Sequence, residues 1–375
     1  MNFDFSDDQK LLKDQARKFL AEKCPTKVPR GVLEARGEYD KGLWKAVADM
    51  GWCGTSIPEA YGGLGLGYLE LCVIAEELGR ALAPVPFSST VYLFAEALML
   101  AGSEDQKKNL LPKVATGAIV GALASAEGPK PVTPKAVKAT FKTGKLDGEK
   151  VPVVDGASAD HAVVLARVSD EPGERGLGLV LVDLKGAGVT RESVATLDPS
   201  RGTARLSFKG AAAELLGRSG EGWSHFNRVL DRAAVLTAFE QLGGADACLA
   251  MAREFALGRY AFGRPIGSFQ AIKHKLADIY VGNELARSNA YYGAWALSTG
   301  AAELALAAAS ARVSATQAFD FAAKENIQTH GGMGFTWEAD CHLFYRRARL
   351  LALSLGAERA WKEKLVTELE LRNAA

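Results

Sequence analysis

The stretch that most constrains this chain is Arg259 to Asp278, RYAFGRPIGSFQAIKHKLAD. It separates two long runs that carry apolar residues at helical spacing, so the fold must accommodate two long helices joined by an abrupt bend. Pro265 lacks the N–H that a helix interior needs, and Gly267 is a poor helix former, so the break is built in. Ser268 is placed to cap the second helix, with Gln270 close behind it. From Phe269 the apolar residues recur at Ile272, Leu276, Ile279 and Tyr280. The bend itself carries polar groups.

The rest of the chain sorts around that bend. Residues 1–118 read as a helical domain. Ser6-Asp7-Asp8-Gln9 offers a cap before a helix with Leu11, Leu12, Ala16, Phe19 and Leu20 on one face. A second helix holds Trp44, Val47 and Met50 and is ended by Gly51. Further helices cover LELCVIAEELGRALAP, the region around Phe94 to Ala101, and Asp105 to Ala115. Residues 119–217 carry short strand-like runs at 161–166, 178–182 and 204–208. Turn signals at Leu146-Asp147-Gly148-Glu149 and at Asp198 to Gly202 separate them, which suggests a small β-barrel or sandwich. Residues 218–375 return to helical periodicity, with long helices around 221–256, 268–297, 302–329 and 340–372 that suggest a four-helix bundle. The chain therefore reads as an α+β multidomain protein: N-terminal helical domain, central β domain, C-terminal bundle.

Composition removes several function classes. Forty-five basic residues against 44 acidic give a net charge of +1, so no field recruits nucleic acid or an anionic membrane. Five cysteines (Cys24, Cys53, Cys72, Cys248, Cys341) are scattered and odd in number, which argues for a reducing compartment rather than a disulfide framework. The polar N-terminus MNFDFSDDQ does not read as a signal peptide, and no apolar run approaches the roughly 20 residues of a membrane span. A cytoplasmic location is expected. His274, His330 and His342 lack the spacing of a zinc ligand set, so no metal is expected. No G-x-S-x-G elbow is present.

A second motif follows the third long helix: Gln328-Thr329-His330-Gly331-Gly332-Met333-Gly334-Phe335. A Gly-Gly pair after a helix lets a ligand approach the backbone, although it also serves as a plain helix end. With R-x-x-F-G-[RK]-P-I-x-x-[FY]-Q at the bend, and Pro58 to Gly65 and Glu76-Glu77-Leu78-Gly79-Arg80 near the N-terminus, the chain resembles the acyl-CoA dehydrogenases. The resemblance runs the whole length in the same domain order. It implies FAD as cofactor. By position it assigns FAD contacts to Arg259, Phe262 and Gln270 from the bend and to Gln328, Gly331 and Gly332 from the second motif, across a subunit interface. An arginine there would fork onto the pyrophosphate. The glycine-rich loop at 58–65 corresponds to one that packs near the acyl pocket.

The resemblance also exposes gaps. The family reaction needs a carboxylate to remove the α-proton of the thioester while hydride leaves for the flavin. The two places where family members carry that Glu align with Leu355 and Ala233, and neither side chain accepts a proton. Glu240, two turns beyond Ala233 and about 10 Å along the helix, is the candidate for a displaced base; Glu358 is another. The T-E-P-x-x-G-S-D loop is represented by Ala126 to Val132, without its Gly-Ser-Asp. The W-I-T-N-G segment is represented by Pro152-Val153-Val154-Asp155-Gly156, without the Trp and Thr that meet the flavin ring.

Motifs at the adenine side are kept and those at the ring side are lost. That pattern resembles the base-less subunits of bacterial α2β2 acyl-CoA dehydrogenases. The alternatives are a self-sufficient homotetramer with a displaced base, and a flavin monooxygenase or nitroalkane oxidase of the same fold. The resemblance implies an acyl-CoA substrate, with Asp231 and Arg232 as CoA-contact candidates, electron-transfer flavoprotein as acceptor, and a homo- or heterotetramer.

Overall fold

The computed structural model describes residues 6–35 and 39–374; the segment MNFDF, part of the N-terminus read above as no signal peptide, lies outside them. The helices are α1 (Asp7–Lys23), α2 (Lys27–Ala35), α3 (Lys41–Asp49), α4 (Tyr68–Arg80), α5 (Glu96–Ala101), α6 (Glu104–Ala115), α7 (Gly222–Gly258), α8 (Gln270–Thr299), α9 (Leu304–His330), α10 (Cys341–Ser354) and α11 (Glu358–Ala374). The strands of the central sheet are β1 (Gly121–Ala124), β2 (Thr140–Lys142), β3 (Lys145–Val154), β4 (His161–Arg167), β5 (Leu177–Asp183), β6 (Val189–Ser193) and β7 (Thr203–Leu216). Contacts divide the chain into two compact units, one of Met1–Arg30, Tyr68–Ala83 and Ala234–Ala375, the other of Gly31–Gly67 and Pro84–Ala233.

The second unit holds the β domain, and its sheet closes. β4 pairs with β2, β2 with β3, β3 with β7, β7 with β5, and β5 returns to β4. Closure removes exposed edges, which leaves a barrel with β1 added parallel to β4 and β6 added to β7. Alternating apolar residues explain the inward faces: Val163 and Leu165 of β4, Leu177 and Leu179 of β5, and Leu216 of β7 are fully buried. They share a core with Phe94, Leu98, Leu111, Val114, Phe226 and Val229 from the helices of this unit.

Two local expectations are corrected here. Leu146 to Glu149 is not a turn but part of β3; the hairpin turns at Thr143 and Gly144, both with positive φ (48° and 75°). The Asp147-Gly148 pair instead marks a register shift against β7, a bulge that a glycine at φ 129° accommodates. The helix expected around Phe94 begins with a π-helical stretch, Ser88–Ala95, before α5. In addition, α2 was not foreseen from periodicity.

The first unit is helical. Ser6 and Gln9 form a reciprocal capping box at the start of α1, as the sequence suggests. α8 and α9 are antiparallel neighbours, tied near the start of one and the end of the other by Lys275 and Glu325 at 2.7 Å. The expected single helix over 340–372 is two, α10 and α11. Leu355 ends the first, Gly356 takes φ 95°, and the Trp361 indole donates to the Leu355 carbonyl (3.0 Å). A left-handed glycine ends a helix at little cost, so periodicity alone runs through it.

α4 explains the Glu-Glu-Leu-Gly-Arg sequence. Glu76 and Glu77 are buried on it and answered by cations. Glu76 accepts from Lys13 (2.8 Å) and Arg287 (2.9 Å), and Glu77 binds Arg17 (2.7 Å). Arg80 and Arg287 both reach Asp246 (3.0 and 2.6 Å). Gly79 is needed because α4 crosses α7 with backbones in contact: a Cβ there would lie 1.9 Å from the Glu240 carbonyl oxygen.

Candidate functional site

The bend opens with Arg259, whose carbonyl accepts from Ile266 N–H (2.8 Å), and residues 260–261 pair with 264–265 in a two-residue ladder. Ser268 does not cap α8. It lies in a short 3-10 turn and donates its hydroxyl to the Pro265 carbonyl (2.7 Å), while Phe269 occupies the cap position without a side-chain hydrogen bond. The hydroxyl has a carbonyl one turn back, which competes with the capping geometry. Phe262 sits at φ 54° and is 96% exposed. Its ring meets Phe269 edge-on (6.2 Å), and Arg264 covers Phe269 at 4.1 Å. A non-glycine residue in the left-handed region is uncommon, and such residues collect at functional sites.

The second motif lies at the same end of the bundle. Phe255, near the end of α7, stacks on His330, the last residue of α9, at 4.2 Å. Gly331 then takes φ 59° and ψ −137°, a conformation essentially reserved for glycine. No atom stands within 4 Å of where a Cβ at Gly331 or Gly332 would be, so both backbones are open. Gln328, Gly331, Gly332, Arg259 and Gln270 are all exposed. These groups fit the nucleotide half of FAD: an exposed guanidinium, two exposed amides, an exposed ring and uncovered backbone. The ring half has no such fit. Pro152 is exposed and carries no donor; Val154 is half-buried and offers no hydroxyl. Asp155 is buried at φ 57° and committed to Ser89 (2.7 Å) and Arg201 (3.1 Å), and Arg201 also binds Ser88 (2.5 Å). Sequence reading missed this buried cluster because its members lie far apart in the chain. Glu127, in the loop that replaces T-E-P-x-x-G-S-D, is likewise engaged by the buried Lys150 (2.7 Å) and the Lys138 and Ala139 amides.

The turn after Gly334 is held from within the helical unit. Arg30 donates to the Trp337 carbonyl (2.6 Å) and to Asp340 (2.6 Å), and Trp337 stacks on His342 (4.7 Å). Arg346 donates to His342 Nδ1 (3.3 Å), which requires a neutral ring. Burial, joined by Arg346 and Arg30, holds the His342 pKa below its usual value. A histidine depressed on folding contributes stability above its unfolded pKa of about 6.5, and loses it as pH falls through the folded value. His342→Gln is therefore expected to flatten the fall in melting temperature as the pH drops below about 6.5. Equal slopes for wild type and variant would refute this.

The two residues that the resemblance aligns with a base are apolar and buried: Ala233 is 0% exposed and Leu355 8%. Glu240 is enclosed, with its carboxylate 3.8 Å from the Arg347 guanidinium. Burial pulls the neighbouring Arg312 down to about 10, against the charges of Glu240 and Glu358. A carboxylate enclosed beside buried guanidinia is placed as a structural partner rather than facing an open cleft. Glu358 accepts from Gln317 (2.8 Å) and pairs with Lys362 (2.7 Å), and the Lys362 hydrogen bond keeps its pKa low. Asp231 is buried, and Arg232 pairs with the buried Glu96 (2.9 Å). Among the described residues no three His, Cys, Asp or Glu side chains gather as for a metal, and no helix is long and apolar enough to cross a membrane.

Comparison with known proteins places the chain in a family. Family models described as the acyl-CoA dehydrogenase N-terminal and C-terminal domains match residues 6–118 and 220–363. The chain is 31% identical to the acyl-CoA dehydrogenase IpdE2 of Mycobacterium tuberculosis, over 97% of this chain and 98% of that one. The structure is similar to butyryl-CoA dehydrogenase of Megasphaera elsdenii, with a TM-score of 0.91 and 26% identity over 98% of this chain and all of the other. It is also similar to a chain of the ChsE4-ChsE5 complex from Mycobacterium tuberculosis, with a TM-score of 0.88 and 25% identity over 99% of both. The chain belongs to the acyl-CoA dehydrogenase family, oxidoreductases that use FAD to dehydrogenate acyl-CoA.

Proposed function

We propose that this chain is the base-less subunit of a heteromeric acyl-CoA dehydrogenase. The observation that carries the reading is a mismatch between its two halves. The nucleotide-side groups Arg259, Phe262, Gln270, Gln328, Gly331 and Gly332 stand exposed at one end of the helical unit. Both base positions hold buried apolar residues, and the W-I-T-N-G equivalent ends in an Asp155–Arg201 pair closed on itself. When bound, FAD accepts the hydride equivalent of the dehydrogenation. This chain's part is to orient it: Arg259 provides charge for the pyrophosphate, and Gly331 and Gly332 let the nucleotide approach the backbone. Proton removal then falls to a glutamate of a second, related chain.

The similarity to a chain of a solved complex, ChsE4-ChsE5, supports a heteromer. So does the apolar surface: Phe262, Phe335 (82%), and Tyr280, Val281 and Leu285 on α8 are exposed large apolar residues of one unit. A tetramer, an acyl-CoA substrate bound with help from Asp231 and Arg232, a flavoprotein electron acceptor and a cytoplasmic setting complete the proposal. The domain division 1–118, 119–217 and 218–375 is part of it.

The test is expression of the chain alone and with an acyl-CoA dehydrogenase chain that keeps its Glu, followed by visible absorbance and acyl-CoA addition. Flavin that bleaches only in the co-expressed complex is the expected result. In that complex, Arg259→Ala should lower flavin occupancy without changing the oligomer. Flavin on the lone chain that bleaches with acyl-CoA would overturn the proposal and favour the homotetramer.

A further inference from the structure

Three sulfur-bearing side chains are neighbours inside the helical unit, two on α7 and one at the start of α10. Cys248 is fully buried, Cys341 is 1% exposed, and Met251 is half-buried. Cys248 and Met251 are three apart on α7 and so share a face. Cys341 Sγ lies 3.7 Å from Met251 Sδ. Three-coordinate binding with metal–sulfur bonds of about 2.3 Å would set the sulfurs about 4 Å apart, close to that separation. Asn326, fully buried on α9, completes the cluster. Its amide donates to Met251 Sδ (3.3 Å) and lies close enough to the Cys248 thiol to influence it, while its Oδ1 has no partner. An orphaned buried carbonyl oxygen is costly in a core and calls for an explanation.

We propose that Cys248, Met251 and Cys341 form a binding site for a soft, monovalent d10 cation of the copper(I) class. The donor set selects it: two thiols and a thioether suit copper(I), and the site offers neither imidazole nor carboxylate to a harder ion. Only two of the three donors are cysteines, so the cluster stands apart from the zinc patterns excluded by the histidine spacing. Both thiols are protonated in the metal-free protein, because burial pushes Cys248 well above its usual value and Cys341 up to about 11. Binding therefore exchanges two thiol protons for one cation, leaving two thiolates and a neutral thioether on the metal. No electron is transferred. Cys341 is the first residue of α10, where the positive end of the helix steadies a thiolate. Met251, half-buried, is the way in. An ion here would tie α7 to the start of α10, beside Asn326 of α9.

The test is an anaerobic titration of the full chain with copper(I) against a chromophoric chelator, with protons counted in weak buffer. Wild type is expected to take one equivalent and release two protons. Cys341→Ser should lose the site. Met251→Leu, which keeps the volume but also removes the thioether that accepts from Asn326, should weaken it by about tenfold or more. Cys53→Ser, altered in the other unit, should bind as wild type. Failure of wild type to compete with the chelator overturns the proposal. So does an unchanged affinity in Met251→Leu, a readout that stands even if Cys341→Ser does not fold.

Discussion

Gly243→Ala is expected to destabilise the protein by about 3 kcal/mol or more, although alanine is the better helix former. A Cβ at 243 would lie 1.8 Å from the Glu76 carbonyl oxygen and 2.8 Å from the Arg80 nitrogen. Its counterpart on α4, Gly79, would meet the Glu240 carbonyl oxygen at 1.9 Å. These are backbone atoms, so no side chain can swing aside, and α4 and α7 would have to separate. Separation would stretch the ion pair of Arg80 on α4 with Asp246 on α7, which spans the same crossing. Gly282→Ala is the control. It sits in α8 with open space at its Cβ, and there the helix propensity should show, as a gain of about 0.5–1 kcal/mol. Denaturant unfolding of the two variants should move in opposite directions. A Gly243→Ala protein as stable as wild type would mean that the helices do not cross in backbone contact.

Glu240→Ala should be nearly as damaging, at about 3–5 kcal/mol, because it leaves the fully buried guanidinia of Arg347 and Arg312 without their nearby carboxylate. Glu240→Gln keeps the volume and should cost less. The pair of variants also separates a structural role from a catalytic one. If Glu240 were the base, Glu240→Gln would melt like wild type and the assembled enzyme would lose turnover by orders of magnitude. The expectation is the reverse: a lowered melting temperature, with turnover per folded enzyme close to wild type.

Much of this structure was legible where the signal is local. The bend at Pro265 and Gly267, the Ser6–Gln9 capping box and the strands at 161–166 and 178–182 each follow from residues that act on their immediate neighbours. Misreadings arose where a distant partner decided the outcome. Asp147-Gly148 is turn chemistry by composition, but pairing with β7 absorbs it as a bulge. Ser268 is a capping residue by type, but the Pro265 carbonyl claims its hydroxyl. Gly356 interrupts a periodicity that continues on either side of it. The candidate site divides in the same way. The exposed groups proposed for the nucleotide stand in two ordered motifs, which is why a sequence can suggest them. The burial of Glu240 among arginines, and the Asp155–Arg201–Ser89 cluster, depend on residues up to more than a hundred positions apart, and no spacing announces them.

The division of the chain into units has a consequence for how the protein is made. The barrel unit is complete once residue 233 has left the ribosome, whereas the helical unit needs Met1–Arg30, Tyr68–Ala83 and everything from Ala234 onward. α1 and α4 thus emerge early but must wait for the segments that receive them. At roughly 5–20 residues per second the wait through the barrel unit is on the order of ten seconds. Throughout it the apolar face of α4 and its two acidic residues, Glu76 and Glu77, have no finished core to enter. A nascent chain stalled just after residue 233 has cleared the ribosome should display a folded barrel and protease-sensitive α1 and α4, the state in which a chaperone would meet it.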